Sequence, residues 1–224
     1  MKRGIIGHLV LKDWRLNRLL IALAFSVGAL ALVLARYGGQ TMRIVGSVWF
    51  FVILVVLGSM LPSVAILNER KKQTLAFIMS LPVTSVQYGI AKLLSIAAMF
   101  VVPWLALLTS ALILIANGHI APQGTIPMLV IVSMLPMIGF WLLSATALAA
   151  ESEGWLIAAS VGVNSSYWFA FFLLSRIPSL SMNWSAPAAV WNASAMTVLA
   201  GELGSILLIL ILTLFIQSRK RDFT

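Results

Sequence analysis

The chain alternates long apolar runs with short polar breaks. Six runs carry no Lys or Arg at their centres: about Leu19–Ala35, Ile44–Leu67, Leu93–Ala116, Ile126–Ala150, Trp155–Leu174 and Val198–Ile216. About 20 mostly apolar residues suffice for a helix to cross a bilayer. A helix also pairs its own backbone groups where no water is present to do so. The pattern therefore predicts an all-α integral membrane protein with six transmembrane helices in a single transmembrane domain, residues 1–224. The fifth run is the least regular, because Asn164, Ser165 and Ser166 interrupt it.

Three polar stretches carry more than a turn. Residues 1–18 mix Lys2, Arg3, Lys12, Arg15 and Arg18 with Ile5, Ile6, Leu9, Val10, Leu11, Trp14 and Leu16. His8, Lys12 and Arg15 follow an i, i+4, i+7 spacing and share one helical face. The stretch predicts an amphipathic interfacial helix lying in the headgroup layer, the alternative being a plain orienting flank. Its mixed composition does not fit a secretory signal, so the first run reads as a retained helix.

Residues 68–92 form the second stretch. A charged cluster, Glu69 to Lys72, is followed by the short apolar segment Thr74 to Leu81. Thr74 can cap a helix, Pro82 disfavours helix at Leu81, and Thr84 with Gln87 has capping-box spacing for a restart. About two turns of helix result, with Leu75, Ile78 and Met79 on one side and Phe77 and Leu81 on another. Apolar side chains at this density require a covering surface, either the membrane or a docked soluble protein. The third stretch, residues 175–197, holds Pro178, Trp184, Pro187 and Trp191. It reads equally as an irregular loop with interfacial tryptophans or as a short re-entrant segment.

Composition sharpens this picture. The chain is 61% hydrophobic and 9% charged, against about 45–50% and about 25% in soluble domains, which leaves no room for a sizeable soluble domain. The net charge of +9 would suggest nucleic acid in a soluble protein. Here its distribution gives a different meaning. Lys2, Arg3, Lys12, Arg15, Arg18, Arg70, Lys71, Lys72, Lys92, Arg219, Lys220 and Arg221 fall on one side of a six-helix topology, and only Arg36, Arg43 and Arg176 on the other. By the positive-inside rule both termini and the 68–92 loop are cytoplasmic. No nucleic-acid partner is expected. The localisation expected is the cytoplasmic membrane of a bacterium, multi-pass. The absence of cysteine excludes disulfides, thiol catalysis and Cys-based metal sites. The Asn-x-Ser triplets at Asn164, Asn183 and Asn192 read as chance.

Candidate chemistry is sparse. Glu151 and Glu153 stand two residues apart in a tight inner turn, but no nucleophile, histidine or metal-ligand set accompanies them, so no catalytic role is assigned. His8 and His119 belong to opposite sides of the membrane and cannot share a metal. Asn164, Ser165 and Ser166 either hydrogen-bond between packed helices or line a substrate path. Glu202, near the outer start of the last run, is a costly group at that depth. It reaches interfacial water, faces a cavity on the substrate path or pairs with Arg176. Pro103, Pro127 and Pro136 are candidates for kinks in the third and fourth helices.

The residues Glu69-Arg70-Lys71-Lys72-Gln73-Thr74-Leu75, then Ser80-Leu81-Pro82-Val83, then Tyr88 to Lys92 resemble the signature loop of ABC-2-type transporter permeases. In that family a Glu-Arg pair leads to a Thr-Leu-like pair, then Ser-Leu-Pro with an apolar residue, then Ala-Lys before the third helix. The resemblance extends over the whole chain: an N-terminal amphipathic helix, six spans, both termini inside and a long outer segment before the last span. It implies a coupling helix over Thr74–Leu81 that sits in a cleft of a separate ATP-binding subunit. Glu69, Arg70, Thr74, Leu75, Phe77, Ile78, Met79, Leu81 and Pro82 would make that contact. It also implies assembly of two permease copies with two ATPase subunits, and export. The chain itself has no Gly-x-x-x-x-Gly-Lys-Ser/Thr phosphate loop. ATP and Mg are therefore expected in the partner, no cofactor in this chain, and no enzyme activity of its own. The apolar interior suits a hydrophobic or amphipathic cargo such as a peptide, lipid or antibiotic. A secondary transporter and a non-transporting membrane scaffold are the competing readings. The first predicts intramembrane ionisable residues and often repeated halves; the second predicts ATPase activity indifferent to any cargo.

Overall fold

The computed structural model describes residues 2–67, 85–149 and 153–219. Within them every regular element is helical. They are α1 (Lys2–Tyr37), α2 (Gln40–Pro62) running into a π-helical turn (Ser63–Leu67), α3 (Ser85–Ala116), a 3-10 turn (Gln123–Thr125) leading into α4 (Ile126–Ala149), α5 (Glu153–Ser175), the four-residue α6 (Pro178–Ser181) and α7 (Ala193–Arg219). Six of these, α1 to α5 and α7, are long and apolar enough to span a membrane. The expected coupling helix, Thr74–Leu81, and the whole set Glu69, Arg70, Thr74, Leu75, Phe77, Ile78, Met79, Leu81 and Pro82 lie outside the described residues, as does Glu151.

Residues 2–18 are helical and run without a break into the first span; α1 is a single helix from Lys2 to Tyr37. Neither Gly nor Pro occurs between Gly7 and Gly28, so nothing local breaks the helix where the basic stretch meets the apolar run. At about 1.5 Å per residue it is about 54 Å long, beyond the about 30 Å of hydrocarbon. Its first turns therefore project past the apolar layer.

Helix α1 packs against α2 and α3, and α4 touches α2, α3, α5 and α7. The α1–α2 hairpin is drawn tight by a missing side chain. A Cβ on Gly46 would stand 2.5 Å from the Ala31 carbonyl oxygen and 2.8 Å from the Ala35 nitrogen. Such close backbone approach is what small residues permit between membrane helices. The centre is filled by Leu54, Leu57, Leu61, Ile96, Met99, Phe100, Leu107, Ile131, Phe140 and Leu143, all essentially inaccessible. Phe100 of α3 stacks on Phe140 of α4 with centroids 4.5 Å apart.

Pro103 and Pro136 lie inside continuous helices, while Pro127 stands in the first turn of α4. Pro136 removes one donor and disturbs the carbonyls a turn earlier. The Ser133 carbonyl, three residues before Pro136, accepts a 2.9 Å hydrogen bond from the Trp104 indole of α3. Neighbouring helices re-satisfy backbone in this way where water is absent.

At the end of the bundle away from the N-terminus, α3 closes with Gly118 at φ 68°. His119 N–H bonds to Leu114 and Gly118 N–H to Ile115, the αL-capped ending that glycine favours. The helical content of residues 175–197 is the single turn of α6 and the start of α7. Asn192 caps α7, its Oδ1 accepting from Ala195 N–H at 2.8 Å, while its Nδ2 donates to the Ser179 carbonyl. Two of the three Asn-x-Ser asparagines, Asn183 and Asn192, thus hold backbone in this segment.

Helices α5 and α7 bury little of themselves. On α5 only Leu156, Val163, Tyr167 and Leu174 are buried, at spacings of seven, four and seven, so a single narrow stripe meets the bundle. Much of the rest of its surface is apolar and exposed, Trp168 and Phe169 included, as lipid-facing helices require.

Candidate functional site

The polar groups of the bundle fall into three places. The first is the end that carries the N-terminal turns of α1. Asp13 is 4% exposed and Lys92 5%. Asp13 Oδ2 accepts from Lys92 Nζ at 2.8 Å and from Ser95 Oγ at 2.8 Å. Lys12 Nζ stands 3.8 Å from Oδ1. One turn further, the buried Asn17 side chain donates to the Asp13 carbonyl at 2.9 Å. Lys92 counts in the sequence as a loop cation that orients the chain. The structure corrects this: Lys92 lies in the second turn of α3, enclosed against α1.

On the other side of the same turns, Gln217 of α7 donates to the Leu148 carbonyl at the end of α4, at 3.1 Å. Its side chain also lies against Gly89 of α3. The start of α3 is therefore held to α1 by an ion pair, with the Gln217 side chain of α7 packed beside it and hydrogen-bonded to α4. Residues 68–84 lead directly into this gripped segment.

Asp13 escapes a reading by composition, because it sits among basic residues in a stretch that looks like a surface helix. A signal exists, however. The buried stripe Ile21, Ala24, Ala31 and Ala35, with Gly28 against Leu107, continues backwards at helical spacing to Asn17 and Asp13. A carboxylate on the extension of a core stripe needs a cation, and Lys92 is the one that α3 brings to it.

The second place is an open cleft of about 440 Å³ between the π-helical turn after α2 and α5. It is lined by Ser63, Glu153, Leu156, Ile157, Ser160, Val161, Asn164 and Ser165. Of the four residues expected on a substrate path, Asn164 and Ser165 line it. Ser166 does not; its hydroxyl donates to the Val163 carbonyl of its own helix. Asn164 is half-buried and donates to the Ser160 carbonyl at 2.8 Å, so its side-chain oxygen is the group available to the cleft. The π-turn follows Pro62, whose missing N–H disturbs the helix there, and such turns recur at functional sites.

Glu202, the fourth, stands alone in the third place. It is 7% exposed, on the face of α7 that meets α4, and its Oε2 has no hydrogen-bond partner among the described residues. Of its three readings, pairing with Arg176 is absent, and burial at 7% does not fit a carboxylate reaching interfacial water. The Arg176 guanidinium lies over the Phe172 ring, 4.8 Å from its centroid.

Among the described residues no three of His, Cys, Asp and Glu converge on a point where a metal would sit. Compared with family models, curated proteins and solved structures, the chain gives no match in any of the three.

Proposed function

We propose that this chain is the membrane-spanning permease subunit of an ATP-driven exporter of the ABC-2 type, working as a pair of permeases with two separate ATPase subunits. The observation that carries the proposal is the clamp of α3 on α1: Lys92 and Ser95 both donate to the Asp13 carboxylate. A loop that receives force from a docked protein needs a stiff helix behind it. A buried, charge-assisted contact fixes the first turns of α3 to α1, so a push on residues 68–84 moves α1 and α3 together. The resemblance of Glu69–Lys92 to the coupling loop supplies the partner: an ATPase subunit that holds ATP and Mg and receives Thr74–Leu81 on the cytoplasmic side.

The cleft beside α5 is the proposed entry for the cargo. Its aliphatic walls and its row of hydroxyl and amide groups suit a hydrophobic or amphipathic molecule. Co-expression with its ATPase subunit tests the reading. The complex should survive affinity purification with the native loop and dissociate with Phe77→Asp, while the permease itself stays folded. A complex indifferent to Phe77→Asp removes the docking role. The buried Glu202 carboxyl gives an ion-coupled secondary transporter one observation of its own. Transport driven by an ion gradient with no ATPase present would establish that second reading and displace the first.

A further inference from the structure

We infer that Glu202 is an intramembrane binding site for a small positive charge, a proton or a monovalent inorganic cation. Its surroundings carry the argument. The carboxyl is more than nine-tenths buried and one oxygen has no hydrogen-bond partner. An ionised carboxylate without a partner is among the costliest groups to place in an apolar interior, and intramembrane carboxyls elsewhere pair with one another, with cations or with protons.

The elements packed on α7 supply no such partner. Helix α4, its main neighbour, contains no Asp, Glu, Lys, Arg, His or Tyr from Ile126 to Ala149, and neither does α6. Helix α3 carries Tyr88 and Lys92 in its first two turns, at the far end of the bundle, and Lys92 is engaged with Asp13. Helix α5, which reaches α7 through α4, carries Glu153 at the far end and Tyr167, which packs on Gly139 of α4. On α7 itself the other charged group is Arg219, seventeen residues away and stacked on Phe215. Arg176, the basic residue nearest in the sequence on the Glu202 side of the bundle, is held on Phe172.

With no counter-charge among the described residues, the inferred source of the compensating charge is solution. Glu202 lies about two and a half turns inside α7, below the Ala195 packing against Met128 and Ile131, so a charge bound there has left bulk water. Opening of the α4–α7 seam would exchange it. The site does not depend on whether ATP drives transport, and its test uses the permease alone.

The experiment is thermal unfolding of the purified permease in lipid nanodiscs, with pH and NaCl varied separately and choline chloride as the ionic-strength control. A ligand that binds only the folded state raises the melting temperature with its concentration. A rise with sodium at constant pH and ionic strength identifies an inorganic cation. A rise with falling pH but not with sodium identifies the proton. Either dependence should vanish in Glu202→Gln and persist in Asp222→Asn. The second readout is labelling with dicyclohexylcarbodiimide. The carboxyl O–H adds across one C=N bond, the oxygen to carbon and the proton to nitrogen, and an acyl shift then gives a stable N-acylurea with nothing lost. Glu202 should label, and the occupying ion should change the rate at least severalfold. If the melting temperature of the native protein ignores both ions, or if Glu202→Gln leaves the dependence intact, the inference fails.

Discussion

At the scale of single residues, the protein places its strongest polar interaction where the sequence looks most superficial. Asp13 and Lys92 are 79 positions apart, and both belong to stretches that read as solvent-facing flanks. Removing one partner of a buried pair leaves an uncompensated charge and costs about 3–5 kcal/mol, whereas replacing both with apolar groups is often nearly neutral. Asp13→Asn and Lys92→Met should therefore each destabilise the protein by about that amount. The double substitution Asp13→Leu, Lys92→Met should recover most of the loss. A double-mutant cycle on unfolding in detergent measures this coupling; strictly additive losses would show that the two side chains do not rely on each other. If the clamp also transmits force, the double variant will be stable yet impaired in cargo-stimulated ATPase activity, which separates the mechanical role from the structural one.

At the scale of helices, stability turns on how closely backbones approach. Gly46 touches α1 backbone that cannot yield, so Gly46→Leu should prise α1 from α2 and cost about 1–3 kcal/mol or more, as overpacking does. Gly162 on α5 and Gly201 on α7 have nothing within 4 Å of a built Cβ. Alanine there should be neutral or stabilising by about 0.5–1 kcal/mol, because alanine is the better helix former. Melting curves of the three variants in one detergent check the contrast, and equal losses at all three would contradict the packing described. The existence of the spans is legible in the sequence because hydrocarbon leaves the backbone no other choice. The start of α1 is not. A basic and apolar mixture at helical spacing suits a helix lying on the membrane as well as one continuing into it, and the contact that decides is the long-range one to Lys92. The polar residues Asn164, Ser165 and Glu202 are visible as exceptions in apolar runs. Whether they meet depends on the rotation of α5 and α7 about their axes, which no local pattern encodes. Two fall in one cleft and Glu202 points to a different neighbour.

At the scale of the whole molecule, charge and geometry make one joint statement about orientation. The contacts Asp13–Lys92 and Gln217–Leu148 place the early turns of α1, the start of α3 and the ends of α4 and α7 at one end of the bundle. The contact of Gly124 N–H with the Ala186 carbonyl joins the α3–α4 turn to residues 175–197 at the other. The first end gathers Lys12, Arg15, Arg18 and Arg219; the second has Arg36, Arg43 and Arg176. Under the positive-inside rule the orientation we propose has the first end in the cytoplasm. The chain lacks cysteine, so single cysteines report position without background. Asn117→Cys and Met182→Cys, both exposed at the second end, should react with a membrane-impermeant maleimide in intact cells. Ser218→Cys, exposed at the first, should react only after the membrane is permeabilised. The inverted pattern would place residues 68–84 outside the cell, where no ATPase could dock, and the exporter proposal would fall with it. Labelling of all three from outside would break the six-span topology itself, since residues 117 and 218 are separated by three crossings.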